Sequence, residues 1–367
     1  MPKGGIYTGT RANVYDTILS TMEDGFGKLG KLAGQEIMVS YACTNMRMKS
    51  NYEYRYRRNL MLYWSHGWLK STFLEIFYNL TERKYCKLLA RISEAALCGT
   101  VRVNNKNNRA QFVPPAVLYP ILFITELGQV KVELMQNFLN ILAEGHNSVD
   151  LAAVNELTPV QKVQIEKKYG IKFDKSGSGF EYYCSPTVMV ATYSRKYLMD
   201  NAMTSRFTVV MPDFRLDSDL AYDIEQSPEV ILNDPHIKRA FNRFVFEEDN
   251  PIDPSQIVMP DEGRDIPGLS PRIINEARMF RAGMEWWGQY VTDKDILKRM
   301  KRNVDIQNRI WTSNIDRIYN ALQGNKMTVS EIVDSLGIPQ ATVYRVLRKL
   351  RPELKVKRDG KVRYYYV

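Results

Sequence analysis

The chain has 367 residues, 44% of them hydrophobic and 25% charged, with a formal net charge of +10. That length suggests about two or three domains, and that composition excludes an intrinsically disordered chain. The positive excess favours a polyanionic partner, although ribosomal and membrane-surface proteins are also basic, so charge alone does not choose.

The first residues, MPKGGIYTGTRANVYDTIL, lack the basic-then-apolar design of a secretory signal. Residues 1–46 carry helical patterns, and a dense basic-aromatic stretch, RMKSNYEYRYRRN, follows at 47–59. It can stack an adenine, contact nucleic acid or cover a core with amphipathic side chains. Four apolar, β-branched runs then alternate with amphipathic helices: NLMLYW at 59–64, AVLYPILFI at 116–124, PTVMVATY at 186–193 and FTVVM at 207–211. Buried runs separated by helices predict a parallel sheet covered on both faces. The most apolar segment, FVPPAVLYPILFI, holds three prolines and is too short to span a bilayer, so no membrane partner and an intracellular location are expected. Sequence rich in Pro, Asp and Glu at 212–268 predicts loops and short helices, and 270–310 is helical again. Cys43, Cys86, Cys98 and Cys184 are scattered and only three histidines exist, which favours buried reduced thiols over a zinc site.

Between the first strand and the next helix lies WSHGWLKSTFL, residues 64–74. It matches the phosphate-loop pattern G-x-x-x-x-G-K-[ST] in Lys70 and Ser71. Trp64 and Leu69 replace the pattern glycines, and Gly67 lies between them. A strand–loop–helix here would aim backbone N–H groups and Lys70 at phosphates, with Thr72 in the same turn and Ser71 able to reach Mg²⁺. A plain strand-to-helix turn with a solvated Lys70 is the alternative. LYPILFITELGQ ends in Thr125-Glu126, where a Walker-B strand ends in Asp-Glu. Glu126 could polarise a water, while neutral Thr125 is a poor Mg²⁺ partner. PTVMVATYS can place Thr192, Tyr193 or Ser194 near a γ-phosphate or cap a turn. Arg206 precedes the FTVVM strand and can reach a neighbouring subunit's nucleotide, or remain an ordinary surface arginine. In GLSPRIINEARMF, Ser270 is a predicted cap, Pro271 the first helical residue, and Arg272 a candidate phosphate contact.

Residues 313–367 read as a separate domain. Asn314–Leu322 predicts a helix, Thr328 or Ser330 can cap the next and Gly337 can end it, and IPQATVYRVLRKL holds a third. LKVKRDGKVRYYYV predicts a hairpin turning at Asp359-Gly360. This order describes a winged helix-turn-helix. Gln340, Thr342, Tyr344, Arg345, Arg348 and Lys349 suit base edges and phosphates. The wing adds Lys355, Lys357, Arg358, Lys361 and Arg363. Residues 327–367 hold nine basic against four acidic side chains, a bias that favours DNA over a protein partner.

Taken in order, these segments resemble the MCM branch of the AAA+ ATPases over residues 45–310. NLMLYWSHGWLKSTFL resembles that family's phosphate loop and following helix, and CGTVRVNNKNNRAQFVPPAVLYPILFITEL its helix-2 insert hairpin and Walker-B strand. LMQNFLNILAEGHNSV resembles the helix that follows, TVMVATYS the sensor-1 strand, and NAMTSRF the arginine-finger phrase. LSPRIINEA resembles the sensor-2 helix and QYVTDKDILKRMKRNV the end of the lid. Two loop glycines, the Walker-B Asp (here Thr125) and the sensor-1 Asn (here Tyr193) depart from the pattern, as does the short segment ahead of the core. Such departures resemble a divergent plasmid- or virus-borne copy, and the terminal winged helix is usual in archaeal members.

The resemblance implies an N-terminal helical extension at 1–55, an α/β AAA+ core with a parallel sheet at 56–212, a helical lid and connecting segment at 213–312, and a winged helix at 313–367. It implies ATP and Mg²⁺ held by Gly67, Lys70, Ser71, Thr72, Thr125 and Thr192, with Ser71 on the metal. Glu126, Arg206 and Arg272 would be catalytic, the arginines acting across the interface of a hexameric ring around DNA. Two hairpins would face the nucleic acid, one with Arg102, Lys106 and Arg109, the other within IEKKYGIKFDKSGSG. Replication initiation or unwinding would be the role of such a ring; a DNA binder that keeps the AAA+ shape as a scaffold is the other reading.

Overall fold

The computed structural model describes residues 9–45, 58–104, 109–127, 132–175, 178–193, 206–214, 216–226, 232, 234–248, 253–311, 318–319, 321–323, 325–336, 338, 340–351, 354–360 and 362–366. It divides into two compact units, Met1–Lys301 and Arg302–Val367.

In the first unit α1 (Arg11–Ala42) begins at Thr10, whose hydroxyl accepts from Asn13 N, and is interrupted at Gly27, whose φ of 56° is non-helical. Then come β1 (Leu60–Tyr63), α2 (Lys70–Leu80), β2 (Cys86–Leu89), α3 (Glu94–Cys98), β3 (Thr100–Asn104), β4 (Arg109–Val113) and β5 (Ile121–Ile124). They are followed by α4 (Val132–Glu144), β6 (His146–Asp150), α5 (Pro159–Tyr169), β7 (Lys172–Phe173), β8 (Gly179–Tyr183), β9 (Thr187–Thr192) and β10 (Thr208–Val210). Helices α6 (Ser218–Gln226), α7 (Pro235–Asn242) and α8 (Pro271–Trp286) follow, and α9 (Asp293–Trp311) begins in this unit and runs past its end at Lys301.

The central sheet has the order β10-β1-β9-β5-β2, with every pairing parallel. Numbered by position among these five strands, that is 5-1-4-3-2. Its three inner strands are apolar without alternation because both faces are covered: all of β5 and β9, and the first three residues of β1, are buried. Each of the four predicted runs supplies one strand. The fifth, β2, was not predicted; as an edge strand it carries the exposed Lys87 in CKLL, which breaks the apolar run. Asn59 fastens the entry of β1 to both neighbours. Its Oδ1 accepts from Val188 N (2.9 Å), its Nδ2 donates to Arg206 O (3.2 Å), and its carbonyl accepts from Thr208 N (2.7 Å).

Two insertions stand beside this sheet: the β3–β4 hairpin and a three-stranded sheet of order β6-β8-β7. Phe112 of β4 joins them, packing against Tyr169, Phe173 and Phe180. Helix α1 packs on α8: Trp287 Nε1 donates to Met38 O (2.7 Å), and a Cβ on Gly283 would meet Val39 Cγ1 at 2.8 Å. The same region buries four charges. Arg58 bonds Glu36 and Glu276, and Arg299 bonds both carboxylates in turn, at 2.7 and 2.9 Å to Glu36 and 2.6 and 3.2 Å to Glu276. Burial alone would raise the Glu276 carboxyl, but Arg299 and Arg58 outweigh it and hold it below the usual carboxylate range.

The second unit contains α10 (Val329–Leu336), α11 (Gln340–Lys349), β11 (Lys355–Asp359) and β12 (Val362–Tyr366). Ile318, Leu322, Ile332, Ile338, Val343, Val346, Leu347 and Leu350 form its core. Thr328 is the cap of α10, exchanging bonds with Glu331. Gly337 and most of the predicted 314–322 helix lie outside the described residues, although Ile318 and Leu322 are helical and buried. Asp359 pairs with Val362, so the hairpin turns after Asp359, with Gly360 at φ 58°, one residue later than predicted. A bridge from Met327 to Tyr365 extends the hairpin into the winged-helix arrangement.

Candidate functional site

The loop from β1 to α2 bends left-handed twice, at Gly67 (φ 85°) and Leu69 (φ 56°, ψ 12°). Among the described residues Leu69 is the one non-glycine at positive φ. A side chain there costs about 1–2 kcal/mol. Leucine therefore does not abolish the backbone form expected of glycine; the chain adopts it under strain. Leu69 O accepts from Phe73 N (3.0 Å), starting the helix. Lys70 is buried, and its Nζ donates to Trp64 O (3.0 Å) and Ser65 O (2.6 Å) and lies over the Trp64 ring. Trp64 Nε1 in turn donates to Trp68 O (2.7 Å). Burial lowers the Lys70 ammonium to about 8. The alternative of a solvated Lys70 does not hold.

Ser71 Oγ donates to Thr125 O (2.9 Å), joining the first turn of α2 to the end of β5. Because β9 lies between β1 and β5, the carboxyl ends of three adjacent strands converge here. In open parallel sheets ligands bind at such ends. A cavity of about 270 Å³ occupies this place. Its walls are the loop from His66 to Leu69, the opening turn Lys70, Ser71 and Thr72, and the strand ends Thr125, Glu126, Ala191, Thr192 and Tyr193. Thus Gly67, Lys70, Ser71, Thr72, Thr125, Glu126 and Thr192 share one wall system. Three aromatic rings line it, His66, Trp68 and Tyr193; His66 and Trp68 were not candidate site residues, and the rings of His66 and Tyr193 meet edge to face at 5.2 Å and 88°. Their contact spans separate segments, so nothing in the local sequence announces it.

The donor set fits a phosphate chain. A buried ammonium, two hydroxyls and a helix amino end border one space, and a Cβ on Gly67 would meet nothing within 4 Å. Ser71 gives its proton to a carbonyl, which leaves its lone pairs available to a cation. Among the described residues no group of three His, Cys, Asp or Glu could hold a metal, so Mg²⁺ here would depend on phosphate oxygens.

Arg206 and Arg272 do not line this cavity. Arg206 precedes β10, and Arg272, in the first turn of α8 behind the Ser270 cap, donates to Phe207 O (2.5 Å). Since β10 runs parallel to β1, both lie at the amino end of the sheet, opposite the cavity. Burial lowers the Arg272 guanidinium. Of the hairpin candidates, Arg102 is exposed on β3, Lys106 lies outside the described residues, and of Arg109 only the backbone, in β4, is described. The second predicted hairpin is β7–β8, with Lys172 and Lys175 exposed. On α11, Gln340, Tyr344, Arg345, Arg348 and Lys349 are exposed and Thr342 half-exposed; on the wing Lys355, Lys357, Arg358 and Arg363 are exposed, and Lys361 lies outside the described residues. All four cysteines are buried free thiols, with Cys184 pushed up to about 12 by burial. No described helix is long and apolar enough to cross a membrane.

The all-parallel 5-1-4-3-2 sheet, with its lysine-bearing loop after the first strand, defines an α/β core of the AAA+ P-loop type with helices following it, and the second unit is a winged helix-turn-helix. Residues 317–353 match the family described as "bacterial regulatory protein, arsR family". Among solved structures the chain is similar to a candidate ATPase from Cytophaga hutchinsonii, with 10% identity, 92% of this chain and 94% of that one covered, and a TM-score of 0.46. No curated protein matches.

Proposed function

We propose that this chain is an ATP-binding, DNA-acting member of the MCM branch of the AAA+ ATPases, working as a homo-oligomeric, hexameric ring in replication initiation or unwinding. The observation that carries this reading is the convergence of Lys70, Ser71, Glu126 and Thr192 on one cavity at the carboxyl ends of β1, β5 and β9. Lys70, Gly67 and the amino end of α2 receive the phosphates, Thr72 and Thr192 complete the cradle, and Thr125 presents its carbonyl beside Ser71. Mg²⁺ neutralises phosphate charge when bound, with Ser71 as its protein ligand. Glu126 orders the attacking water. Arg206 and Arg272 serve a cavity on the neighbouring copy, because their own lies at the opposite end of the sheet.

The β3–β4 hairpin with Arg102, Lys106 and Arg109, and the β7–β8 hairpin, face DNA inside the ring. The winged helix binds duplex DNA through α11 and the wing, which places the protein inside the cell. DNA-stimulated ATP turnover tests the reading. The native protein should turn over ATP, and Lys70→Ala and Glu126→Gln should abolish it. One observation favours a second reading, a non-hydrolysing scaffold that binds an origin or operator: the Lys70 ammonium is already satisfied by two loop carbonyls. Absence of turnover in all three proteins, with DNA binding intact, would select it.

A further inference from the structure

We infer that the free edge of β6 takes a strand from a second copy of this chain, residues 51–57. This rests on the homo-oligomer proposed above, and not on the cavity at Lys70. Strand β6 is an outer strand of the sheet β6-β8-β7. Gly145 O accepts from Cys184 N, and Leu151 N donates to Ser178 O, both at 2.8 Å. Antiparallel bonding alternates along a strand. The odd-numbered residues of β6 therefore turn their backbone groups to β8, and those of His146, Ser148 and Asp150 point away from it. Among the described residues no backbone group bonds the N–H or C=O of Ser148 or Asp150, and both residues are exposed. An unpaired edge of this kind is a template for another strand.

The space beside the edge selects the occupant. A cavity of about 370 Å³ is lined by Ser148 and Asp150 and, from α3 and the start of β3, by Glu94, Ala95 and Thr100. Its sides are tied together: Asn147 Nδ2 donates to Tyr182 Oη (2.9 Å), which donates to Leu97 O in α3 (3.2 Å). The lining holds two carboxylates and no lysine or arginine, and Glu181, opposite Ser148 in β8, adds a third carboxylate on the outer face. An extended segment with one aromatic and one basic face matches both sides. Residues 51–57, NYEYRYR, alternate Tyr52, Tyr54 and Tyr56 with Glu53, Arg55 and Arg57. Such alternation predicts a strand. The segment lies outside the described residues, and the nucleotide reading gives it no role. Laid along β6, its tyrosines enter the cavity against Ala95 and Thr100, and Arg55 and Arg57 meet Asp150 and Glu181 as cross-strand pairs. A chain that carries both a free edge and a strand to fill it joins its copies head to tail, the kind of contact that closes a ring.

Sedimentation equilibrium of the full chain tests this. The native chain should self-associate, more weakly as salt rises. Ser148→Pro removes an edge N–H that β8 does not use, and the double variant Arg55→Glu, Arg57→Glu reverses the charge of the added strand. Each should weaken association by about tenfold or more. Asp150→Arg should do the same, and mixing it with the double variant should restore association, because an acidic strand then meets a basic edge. Urea midpoints equal to the native one show that the variants fold. If the folded variants associate like the native chain, or the mixture is not restored, the inference is overturned, while self-association leaves the oligomer reading standing. If the amides of Ser148 and Asp150 are protected from hydrogen exchange in a dilute monomer, and lose that protection in the double variant, the segment docks in its own chain and the inference is overturned as well. A native chain that stays monomeric at every concentration removes the oligomer reading and this inference with it.

Discussion

The cavity and the buried four-charge cluster lie in the same unit and treat polar groups in opposite ways. In the cluster two arginines meet two carboxylates, and both carboxylates accept from both arginines. In the cavity the ammonium of Lys70 meets two carbonyls and the Trp64 ring but no carboxylate, it follows a strained Leu69, and Glu126 faces open space. A satisfied network serves stability or specificity. Strain beside a cation that meets no carboxylate marks a place suited to an anionic ligand. The arginines make the same contrast: Arg58 and Arg299 each meet two carboxylates, whereas Arg272 reaches a backbone carbonyl at the end of the sheet remote from the cavity.

Breaking each side should therefore have different consequences. The largest effect on stability belongs to the cluster: Glu36→Gln leaves Arg58 and Arg299 short of charge, and urea unfolding should show a loss of about 3–5 kcal/mol. Lys70→Met should change stability far less than Glu36→Gln, because no carboxylate depends on it, yet abolish nucleotide binding in isothermal titration with AMP-PNP. A stability loss as large as that of Glu36→Gln would mean that Lys70 is a structural cation.

Two pH dependences sharpen the contrast. The folded Lys70 value of about 8 lies below the ordinary lysine value. Its burial therefore disfavours folding below pH 8, and that cost is relieved as pH rises from about 8 towards 10.4, so the native protein should gain stability there relative to Lys70→Met. Nucleotide affinity should fall over the same range as the ammonium loses its proton. Glu276 behaves in the other sense. Its folded value is depressed, so its contribution is complete above the carboxylate range and is lost as pH falls through it; Glu276→Gln should flatten the acid limb of stability against pH.

Smaller effects lie in the winged helix. Arg345→Ala should weaken DNA binding and, if the contact is to phosphate, reduce the salt slope by about one. Thr328→Ala, which removes the cap of α10, should cost about 1 kcal/mol in that unit.

Much of this was legible in the chain. The four apolar runs are strands because a sheet covered on both faces needs continuous hydrophobicity, and such runs survive in any sequence that builds one. The Ser270–Pro271 helix start and the Thr328 cap were equally local, since a cap and its donors lie within three residues. Edge strand β2 was not legible, because an edge tolerates a lysine. The hairpin turn was misplaced by one residue, because Asp359-Gly360 has a turn's composition while the register with Val362 decides where the turn falls.

The amino-acid sequence by itself determined the elements and the chemistry they carry: a lysine and hydroxyl after one strand, a glutamate after another, and a basic helix and wing at the end. Only the tertiary structure decided what meets what. Strand order brought Glu126 and Thr192 to Lys70 and left Arg206 and Arg272 at the other end of the sheet. Folding paired Glu36 with Arg299 across 263 residues and brought His66 against Tyr193. Local pattern reports propensities within a few residues, whereas these pairings depend on which surfaces must be buried together, and that is settled by the packing of the whole unit.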